Sequence, residues 1–347
     1  MRKKLAYFEK WIDPLADTLI AAHADIEVTR LSYADPLDDN WRVMAAAHAY
    51  QIAPGAELKA PWYGNRELLA GCPNLLAIST PGVGYDIVDI DACTEAGVIV
   101  VNQAGANSEA VAEHALGLML ALSKKIVFAD RALRRPGRLD RFAFTGNEIY
   151  GKTVGIIGFG NIGACLAKLC GIFDMDVLAY DPARSEETIR QRGGRKVSLE
   201  ELLRASDFVS LNCPLSDETL GMLGRDQFAL MKPTAYFVTT ARGGVHKEDD
   251  LYEILKDRRI AGAGLDVFED EPPDHRHPLL TLDNVIATPH NAGLTAEAKQ
   301  SMARSAVRQW ASILSGGPPR SLINPEAWSA YSARFENMFG TRPTGPG

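Results

Sequence analysis

Short apolar runs alternate with helix-length segments over roughly the first hundred residues. The runs cover residues 5–8, 26–31, 75–79 and 98–101. This alternation is typical of a small parallel sheet, because two parallel strands need a long crossover between them. We therefore predict a first α/β unit that ends near Gly105.

A more apolar helix follows this unit. Asn107 or Ser108 can cap it, and Glu109 lies in the first turn, where the helix dipole favours a carboxylate. Its apolar residues recur at three- and four-residue spacing and are Val111, Ala115, Leu118 and Leu122. We expect a helix this apolar to pack between domains.

Six further apolar runs cover residues 154–158, 177–180, 208–211, 235–238, 264–267 and 285–288. Their β-branched and aromatic residues are almost uninterrupted, which is typical of strands buried on both faces, so we predict a doubly wound parallel sheet. After Thr295 a long helix carries one apolar face, formed by Met302, Ala306, Trp310 and Ile313. We expect residues 331–347 to form a tail.

Composition narrows the class of protein. The chain has 347 residues, 46% hydrophobic and 23% charged, which suits two globular domains and excludes disordered or disulfide-stapled classes. A net charge of −7 repels nucleic acid and anionic membranes, so the expected partner is a small molecule. Five scattered cysteines without a Cys-x-x-Cys pair predict neither a metal site nor disulfides.

We expect a cytoplasmic protein. The N-terminal sequence MRKKLAYFEKW lacks the apolar stretch of a signal peptide. The most apolar stretch, residues 110–126, contains Glu113, His114 and Lys124, which do not suit a membrane span. A basic cluster lies just beyond it, and we interpret this cluster as solvated surface rather than an anion site. Its members are Arg131, Arg134, Arg135, Arg138 and Arg141.

A glycine-rich loop, Gly158-Phe159-Gly160-Asn161-Ile162-Gly163, joins a predicted strand to a predicted helix. Gly158 permits the tight turn, Gly160 lets the backbone approach a pyrophosphate, and Gly163 lets the helix pack closely on the strand. The free N–H groups at the helix N-terminus would bind the anion. In this context the loop predicts a dinucleotide site rather than a turn without a ligand.

The next predicted strand ends at Asp181, eighteen residues beyond Gly163. A carboxylate there can bind the ribose 2′-hydroxyl of NAD and would repel the 2′-phosphate of NADP. Arg184 is a competing signal, since it could turn toward a phosphate, although an exposed arginine is the simpler interpretation. We predict NAD as the cofactor.

Three later strands each end in a different chemical group. Arg242 follows one strand, Glu271 follows the next, and His290 closes the last. Because ligands bind beyond the carboxyl ends of strands in an open α/β sheet, these groups would share an edge with the glycine-rich loop. Together they suit hydride transfer to a 2-oxo acid: a cationic fork, a proton donor and a carboxylate that orients the donor. Singly, each has a purely structural interpretation.

At these positions the sequence resembles the D-isomer-specific 2-hydroxyacid dehydrogenases. The resemblance is close from about residue 75 to 298. In the first 70 residues it is limited to the alternation of strand-length and helix-length segments. It is carried by the motifs GVGYDIVDID, NSEAVAEHALGLML, GIIGFGNIG, MKPTAYFVTTARGG, GAGLDVFEDEP and HPLLTLDNVIATPHNAGLT. The resemblance implies an NAD-dependent oxidoreductase that interconverts a D-2-hydroxy acid and its 2-oxo acid.

The resemblance also implies roles for the catalytic residues. Arg242 would bind the substrate, His290 would act as acid and base, and Glu271 would be the partner of His290. The chain departs from the family pattern without losing a catalytic group, at Thr239 for Asn, Lys247 for an acid and Ala104 for Pro.

Other contacts are implied in the same way. The backbone N–H groups of Val83 and Gly84 would hold the substrate carboxylate, and Asp266 would bind the nicotinamide amide. The remaining cofactor-contact positions would be Asn161, Ile162, Cys213, Thr240, Ala241 and the stretch from His290 to Gly293.

The resemblance implies an architecture of two Rossmann-like domains. Residues 1–106, completed by a C-terminal helix over 296–330, would form a smaller, flavodoxin-like substrate domain, and residues 107–295 would form the NAD-binding domain. No regulatory domain is expected after residue 330. A homodimer is expected, with the apolar helix over residues 111–122 contributing to the contact.

Two alternatives stay open. A dinucleotide-sensing binding protein similar to a transcriptional corepressor could keep the same fold and the same three residues. Oxidation of formate or phosphite is a further possibility, although Glu271 counts against it because the formate dehydrogenases of this family pair the histidine with glutamine. The identity of the 2-hydroxy acid stays open too, with Lys59, Trp62, Tyr63 and Arg66 as candidates for its side-chain pocket.

Overall fold

The computed structural model describes residues 2–345, which divide into two compact α/β units. Unit 1 contains the chain up to Asn107 and from Thr295 onward, and unit 2 contains Ser108–Leu294. The strands are β1 (Lys3–Phe8), β2 (Ile26–Leu31), β3 (Ala49–Gln51), β4 (Ala77–Ser79), β5 (Ile99–Val101), β6 (Thr153–Ile157), β7 (Asp176–Tyr180), β8 (Arg195–Lys196), β9 (Phe208–Leu211), β10 (Tyr236–Thr239), β11 (Gly262–Leu265) and β12 (Val285–Ala287).

The α-helices alternate with these strands. They are α1 (Leu15–Ile20), α2 (Leu37–Ala46), α3 (Arg66–Gly71), α4 (Ile90–Glu95), α5 (Ser108–Ser123), α6 (Ile126–Leu133), α7 (Asn161–Ile172), α8 (Glu186–Gln191), α9 (Leu199–Ala205), α10 (Arg225–Phe228), α11 (Glu248–Lys256), α12 (Pro278–Thr281), α13 (Ala296–Leu314) and α14 (Trp328–Phe339).

Unit 1 is built on a five-stranded parallel sheet with the strand order β2-β1-β3-β4-β5. Four of its strands match the predicted apolar runs to within two residues. The sequence interpretation missed β3, because Ala49-Tyr50-Gln51 is short and contains a single strong strand former. Tertiary burial compensates for this weak propensity, since Tyr50 is fully buried at the centre of the sheet.

The C-terminal segment belongs to the core of unit 1. Helix α13 begins after the Thr295 cap and buries the predicted apolar face, including Trp310. The prediction of a tail from residue 331 was wrong for residues 331–339, which lie in α14. Tyr331 and Phe335 are 0% and 1% exposed there, so burial of aromatic surface stabilises this helix against fraying.

Unit 2 contains a seven-stranded parallel sheet with the order β12-β11-β10-β9-β6-β7-β8. The six predicted strands are confirmed with shifts of at most two residues, and within unit 2 only the two-residue edge strand β8 was missed. The fold is the predicted doubly wound α/β sheet. Its strand order reverses between β6 and β9, and ligands of such sheets bind at this kind of crevice, beyond the carboxyl ends of the strands.

One face of helix α5 is buried, and Glu109, Glu113 and Gly117 lie on its exposed face. Its apolar residues pack against α7 and against the sheet. A side-chain carbon at Gly264 of β11 would lie 3.0 Å from Leu118 Cβ, so glycine at this position lets α5 lie close on the sheet. The apolar stripe is therefore accounted for by packing inside the unit.

Candidate active site

The glycine-rich loop lies between β6 and α7, where the strand order reverses. Gly158 has φ of +87°, and a side-chain carbon there would lie 2.6 Å from Cys213 N. Gly163 packs against the same turn, since a side-chain carbon would lie 2.3 Å from Gly158 O. Both positions thus require glycine for reasons internal to the protein.

Gly160 differs from these two glycines. Its backbone has φ −76° and ψ −148°, and no atom lies within 4 Å of the place a side-chain carbon would take. This open space would let a pyrophosphate approach the backbone. Gly160 is the N-cap of α7 and has no side chain that could accept from the N–H groups of the first turn. The N–H groups of Asn161, Ile162 and Gly163 can therefore bind an anion. This loop fits a dinucleotide.

Asp181 follows β7 and is tied to the glycine-rich loop. Its Oδ2 accepts a hydrogen bond from Phe159 N at 2.8 Å, and its Oδ1 accepts one from Ala183 N at 2.9 Å. The carboxylate is therefore held beside the loop, where an adenosine ribose would bind in this type of fold. Arg184 is exposed, and Lys196 donates a hydrogen bond to its carbonyl oxygen.

The other predicted cofactor-contact residues follow β9, β10 and β12. Cys213 is half-buried, and burial raises the pKa of its thiol to about 11, so it is a neutral packing group. Thr240 is 8% exposed, and its hydroxyl has no hydrogen-bond partner among the described residues. A buried hydroxyl without a partner is costly and is compatible with a polar ligand at this edge. Ala241 is buried beside it, and Gly293 is half-buried after β12.

The three candidate catalytic residues follow three adjacent strands. Arg242 follows β10, Glu271 lies on the loop after β11, and His290 follows β12. Nδ1 of His290 lies 2.6 Å from Oε2 of Glu271. Their side chains are 43% and 33% exposed, so a substrate can reach the pair.

The ionisation of Glu271 reflects this pairing. Burial by itself would raise the pKa of the carboxyl group, but the hydrogen bond and charge of His290, the N–H group of Phe268 and the charge of Arg242 together lower it. Glu271 is therefore a carboxylate near neutral pH, and its Oε2 is placed to accept a hydrogen bond from Nδ1 of His290.

Arg242 is held by its own backbone and by close packing of the next residue. Its Nη1 donates to Ala241 O at 2.7 Å. A side-chain carbon at Gly243 would lie 2.0 Å from Phe268 O, so only glycine allows the Arg242 segment to contact the Glu271 loop. The charge of Arg242 contributes to the lowered pKa of the Glu271 carboxyl group.

Asp266 organises the backbone around His290. It is 1% exposed and accepts hydrogen bonds from Thr288 Oγ1 at 2.6 Å and from the N–H groups of Asn291 and Ala292 at 3.0 Å each. Its backbone oxygen accepts from His290 N at 2.8 Å, and His290 has φ of +51°. The structure thus shows Asp266 as the support of this turn, a contact that the sequence interpretation did not include.

The sequence analysis also did not identify His114 as a residue near the candidate site. It lies on α5, and its Nε2 is 3.0 Å from Thr288 Oγ1 and 3.7 Å from Asp266 Oδ1. Sequence separations of 174 and 152 residues leave no local pattern that could reveal this contact. His114 therefore adds a positional constraint on the turn that carries His290.

Val83 and Gly84 lie in unit 1, on the loop after β4. Asn102 Nδ2 donates to Val83 O at 2.7 Å, and Gln103 N donates to Gly82 O at 2.8 Å. These bonds use the carbonyl groups of the loop and leave its N–H groups for other partners. A helix α13 residue, Gln309, supports the arrangement by donating to Asn102 O at 2.5 Å.

The four candidates for the substrate side-chain pocket have different environments. Trp62 is 2% exposed and packs on Phe8 and Trp41 as part of the core. Arg66 forms an exposed ion pair with Glu95. The ammonium group of Lys59 lies 5.2 Å from the ring centre of Tyr33, and Tyr63 is 37% exposed. Core packing therefore makes Trp62 unavailable for contact with a ligand, whereas Lys59, Tyr63 and Arg66 stay candidates.

Other features of the sequence have simple structural outcomes. The five arginines of the basic cluster are exposed, and Arg134 pairs with Asp130. Within residues 2–345, no three His, Cys, Asp or Glu side chains are arranged to hold a metal ion. None of the helices described for this chain has the length and apolarity needed to cross a membrane.

Comparisons with known proteins bear on the family. Residues 116–292 match the model of the D-isomer specific 2-hydroxyacid dehydrogenase, NAD binding domain. The chain is 42% identical over 258 residues to the D-3-phosphoglycerate dehydrogenase of Archaeoglobus fulgidus, covering 74% of this chain and 49% of that protein. It therefore spans about half the length of that relative. It is 41% identical over 266 residues to the glyoxylate reductase of Thermofilum pendens, covering 75% of this chain and 78% of that protein.

A solved structure supports the same conclusion. The NAD-complexed D-isomer specific 2-hydroxyacid dehydrogenase of Lactobacillus delbrueckii ssp. bulgaricus superposes with a TM-score of 0.75 at 26% identity, covering 93% of this chain and 100% of that one. With the glycine-rich loop and the matched nucleotide-binding region, this chain belongs to the D-isomer specific 2-hydroxyacid dehydrogenase family.

Proposed function

We propose that the protein is an NAD-dependent oxidoreductase that interconverts a D-2-hydroxy acid and its 2-oxo acid. The observation that carries this proposal is the contact of 2.6 Å between His290 and Glu271. The pair and Arg242 follow adjacent parallel strands, at the sheet edge that also carries the glycine-rich loop. Family membership supports the same reaction class.

The cofactor would be held by the loop from Gly158 to Gly163, with Asp181 beside the ribose and Thr240 and Ala241 at the end of β10. When bound, NADH supplies the hydride for reduction of the substrate carbonyl. The choice of NAD follows from the negative charge of Asp181, which would lie close to a 2′-phosphate.

The protein side chains supply the proton and the substrate orientation. The guanidinium group of Arg242 would bind the substrate carboxylate through two parallel N–H donors. Negative charge develops on the carbonyl oxygen during reduction, and His290 in its protonated form would donate a proton to that oxygen from Nε2. Glu271 binds Nδ1, so it orients the ring and stabilises its positive charge. In oxidation, neutral His290 would accept the hydroxyl proton.

Val83 and Gly84 would contribute backbone N–H groups to the substrate carboxylate. The bonds from Asn102 and Gln103 to the carbonyl groups of this loop support that role, because they fix the orientation of its peptide planes.

We also propose a homodimer. Since α5 is covered within its own unit, the exposed apolar residues Ile126, Leu133, Phe142 and Tyr150 form a better candidate contact.

A screen of NADH oxidation would test the proposed reaction. The purified protein would be assayed with glyoxylate, hydroxypyruvate, pyruvate, phenylpyruvate and phosphohydroxypyruvate, and we expect turnover with at least one of them. Turnover lost in His290→Gln with unchanged NADH binding would assign the activity to this site. NADH binding without turnover on any 2-oxo acid would favour a dinucleotide-sensing protein instead.

A further inference from the structure

A second carboxylate–imidazole pair, formed by Glu248 and His277, contacts the loop that carries Glu271. Glu248 is the first residue of α11, and its Oε2 is 3.0 Å from His277 Nε2. The two side chains are 10% and 20% exposed, so the pair is largely withdrawn from solvent. The proposed reaction does not use either residue.

Both carboxylate oxygens of Glu248 bind the loop that carries Glu271. Oε1 accepts a hydrogen bond from Glu269 N at 2.8 Å, and Oε2 accepts one from His277. These two contacts lie on either side of Glu271, two residues before it and six residues after it. One side chain on α11 thus fixes both ends of the segment in which Glu271 lies.

The ring of His277 strengthens this attachment. It packs edge-on against Phe268, with ring centres 5.4 Å apart, and its Nδ1 is buried without a partner among the described residues. Among the described residues the ring makes its hydrogen bond through Nε2 alone, so its position depends on the Glu248 carboxylate.

The same carboxylate also links the Arg242 segment to the Glu271 loop. Arg242 lies on the connection from β10 to α11, six residues before Glu248, which begins α11. Gly243, on the same connection, contacts the backbone of Phe268 and Glu269. The hydrogen bond from Glu269 N to Glu248 holds these two segments together at that contact.

We propose that Glu248 and His277 form a positioning clamp that keeps Glu271 and Arg242 in the geometry required for reduction of the 2-oxo acid. The inference rests on the proposed function. The clamp residues are positioning residues, since they act through the loop and do not contact the reacting atoms. A catalytic group displaced by about 1 Å can reduce turnover by about 100-fold, so a buried clamp of this kind has a measurable effect.

The test compares Glu248→Ala with the wild-type protein in steady-state reduction, with active sites counted by NADH binding. We expect kcat per active site to fall and KM for the 2-oxo acid to rise, so that kcat/KM falls by roughly 10- to 100-fold. The Kd for NADH should stay unchanged. A merely structural role would lower the number of active sites and leave KM unaltered, and that result would overturn the proposal.

Two other variants provide a rescue test that does not depend on Glu248→Ala folding. His277→Gln retains an N–H donor near the position of Nε2, whereas His277→Ala has none. We expect His277→Ala to reproduce the loss of kcat/KM and His277→Gln to restore most of it. Equal kinetics in these two variants would contradict the clamp. Glu253→Ala is the matched control on α11, since its carboxylate is 42% exposed and pairs with Lys256 at 3.7 Å.

Hydrogen exchange separates failure of the clamp from failure of the proposed function. We expect faster amide exchange over residues 268–277 in Glu248→Ala, with exchange over residues 153–163 unchanged. If the wild-type protein reduces no 2-oxo acid, the proposed function fails, and faster exchange confined to this segment still supports the clamp. Unchanged exchange there would overturn the clamp whatever the activity.

Discussion

Nδ1 of His290 lies 2.6 Å from Oε2 of Glu271, although the two residues follow different strands and are 19 positions apart in the chain. The contact exists because β11 and β12 are adjacent and parallel, so their carboxyl ends meet at one edge. Asp266, at the end of β11, binds the turn that carries His290 and holds it in register with the Glu271 loop.

Glu271→Gln should move the alkaline limb of kcat/KM for reduction to lower pH, because the carboxylate stabilises positive charge on the ring that donates the proton. The pKa of the Glu271 carboxyl group is lowered, so the wild-type side chain is charged throughout the neutral range. Glutamine keeps a hydrogen bond but removes this charge. Rate profiles from pH 5 to 10 would measure the change, with Asp270→Asn as the control. An unchanged limb would show that Glu271 is not the functional partner of His290.

Arg242→Lys should raise KM for the 2-oxo acid at least about tenfold, because a point charge replaces two parallel N–H donors. His290→Gln should behave differently and lower kcat by about 10²–10⁴-fold, since the proton donor itself is lost. Steady-state kinetics at saturating NADH would distinguish the two effects. If Arg242→Lys reduced kcat alone, Arg242 would not be the group that binds the ground-state substrate. Arg204→Lys on α9 is an exposed control.

The protein should prefer NADH to NADPH. Asp181 is held beside the glycine-rich loop by two backbone N–H groups, and its charge would repel a phosphate on the ribose. Asp181→Asn should reduce the ratio of kcat/KM values for NADH and NADPH by about tenfold, while Arg184→Ala should leave it nearly unchanged. A wild-type preference for NADPH that disappears in Arg184→Ala would reverse this assignment.

The protein should be a dimer at micromolar concentration. Leu133 is 71% exposed and Phe142 is 70% exposed, an unfavourable arrangement for large apolar side chains unless a partner covers them. Light scattering should report a dimer for the wild-type chain and a monomer for the double variant Leu133→Glu, Phe142→Glu. Leu220→Glu, at a position 64% exposed elsewhere on unit 2, is the control. A wild-type monomer would exclude the dimer.

His246 should make the stability of the protein sensitive to acid. It is 0% exposed, its ring nitrogens have no hydrogen-bond partner among the described residues, and burial lowers its pKa from 6.5 to about 4. Between these values the unfolded chain binds a proton and the folded chain does not, so stability falls as pH falls from 6.5 toward 4, by up to roughly 3 kcal/mol.

Denaturant unfolding at pH 7 and pH 4.5 would measure this effect. His246→Leu should reduce the difference in free energy of unfolding between the two pH values, because the buried group no longer titrates. His275→Gln changes an exposed histidine and should leave the difference unaltered. Equal acid sensitivity in His246→Leu and the wild type would show that other groups cause it.

Local features of the sequence were sufficient to predict most of the sheet in unit 2 and its nucleotide loop. Strands such as β9 are mainly apolar, and their burial on both faces determines that pattern directly. Gly158 was predictable because its positive φ is a property of one residue, and Asp181 because it ends the next strand along the chain. Signals of this kind depend on neighbours in the chain.

The remaining features depend on contacts between distant segments. The short strand β3 and helix α14 have weak local signals, and they exist because Tyr50 and Phe335 are buried by other elements. His114 contacts Thr288 across 174 residues, and Glu248 binds His277 across 29. Residue types and spacing determined that an arginine, a carboxylate and an imidazole would follow neighbouring strands. The family resemblance implied that Glu271 is the carboxylate that meets His290. Only the tertiary structure decided that Glu248 holds the loop, because side-chain pairing depends on distances that folding alone creates.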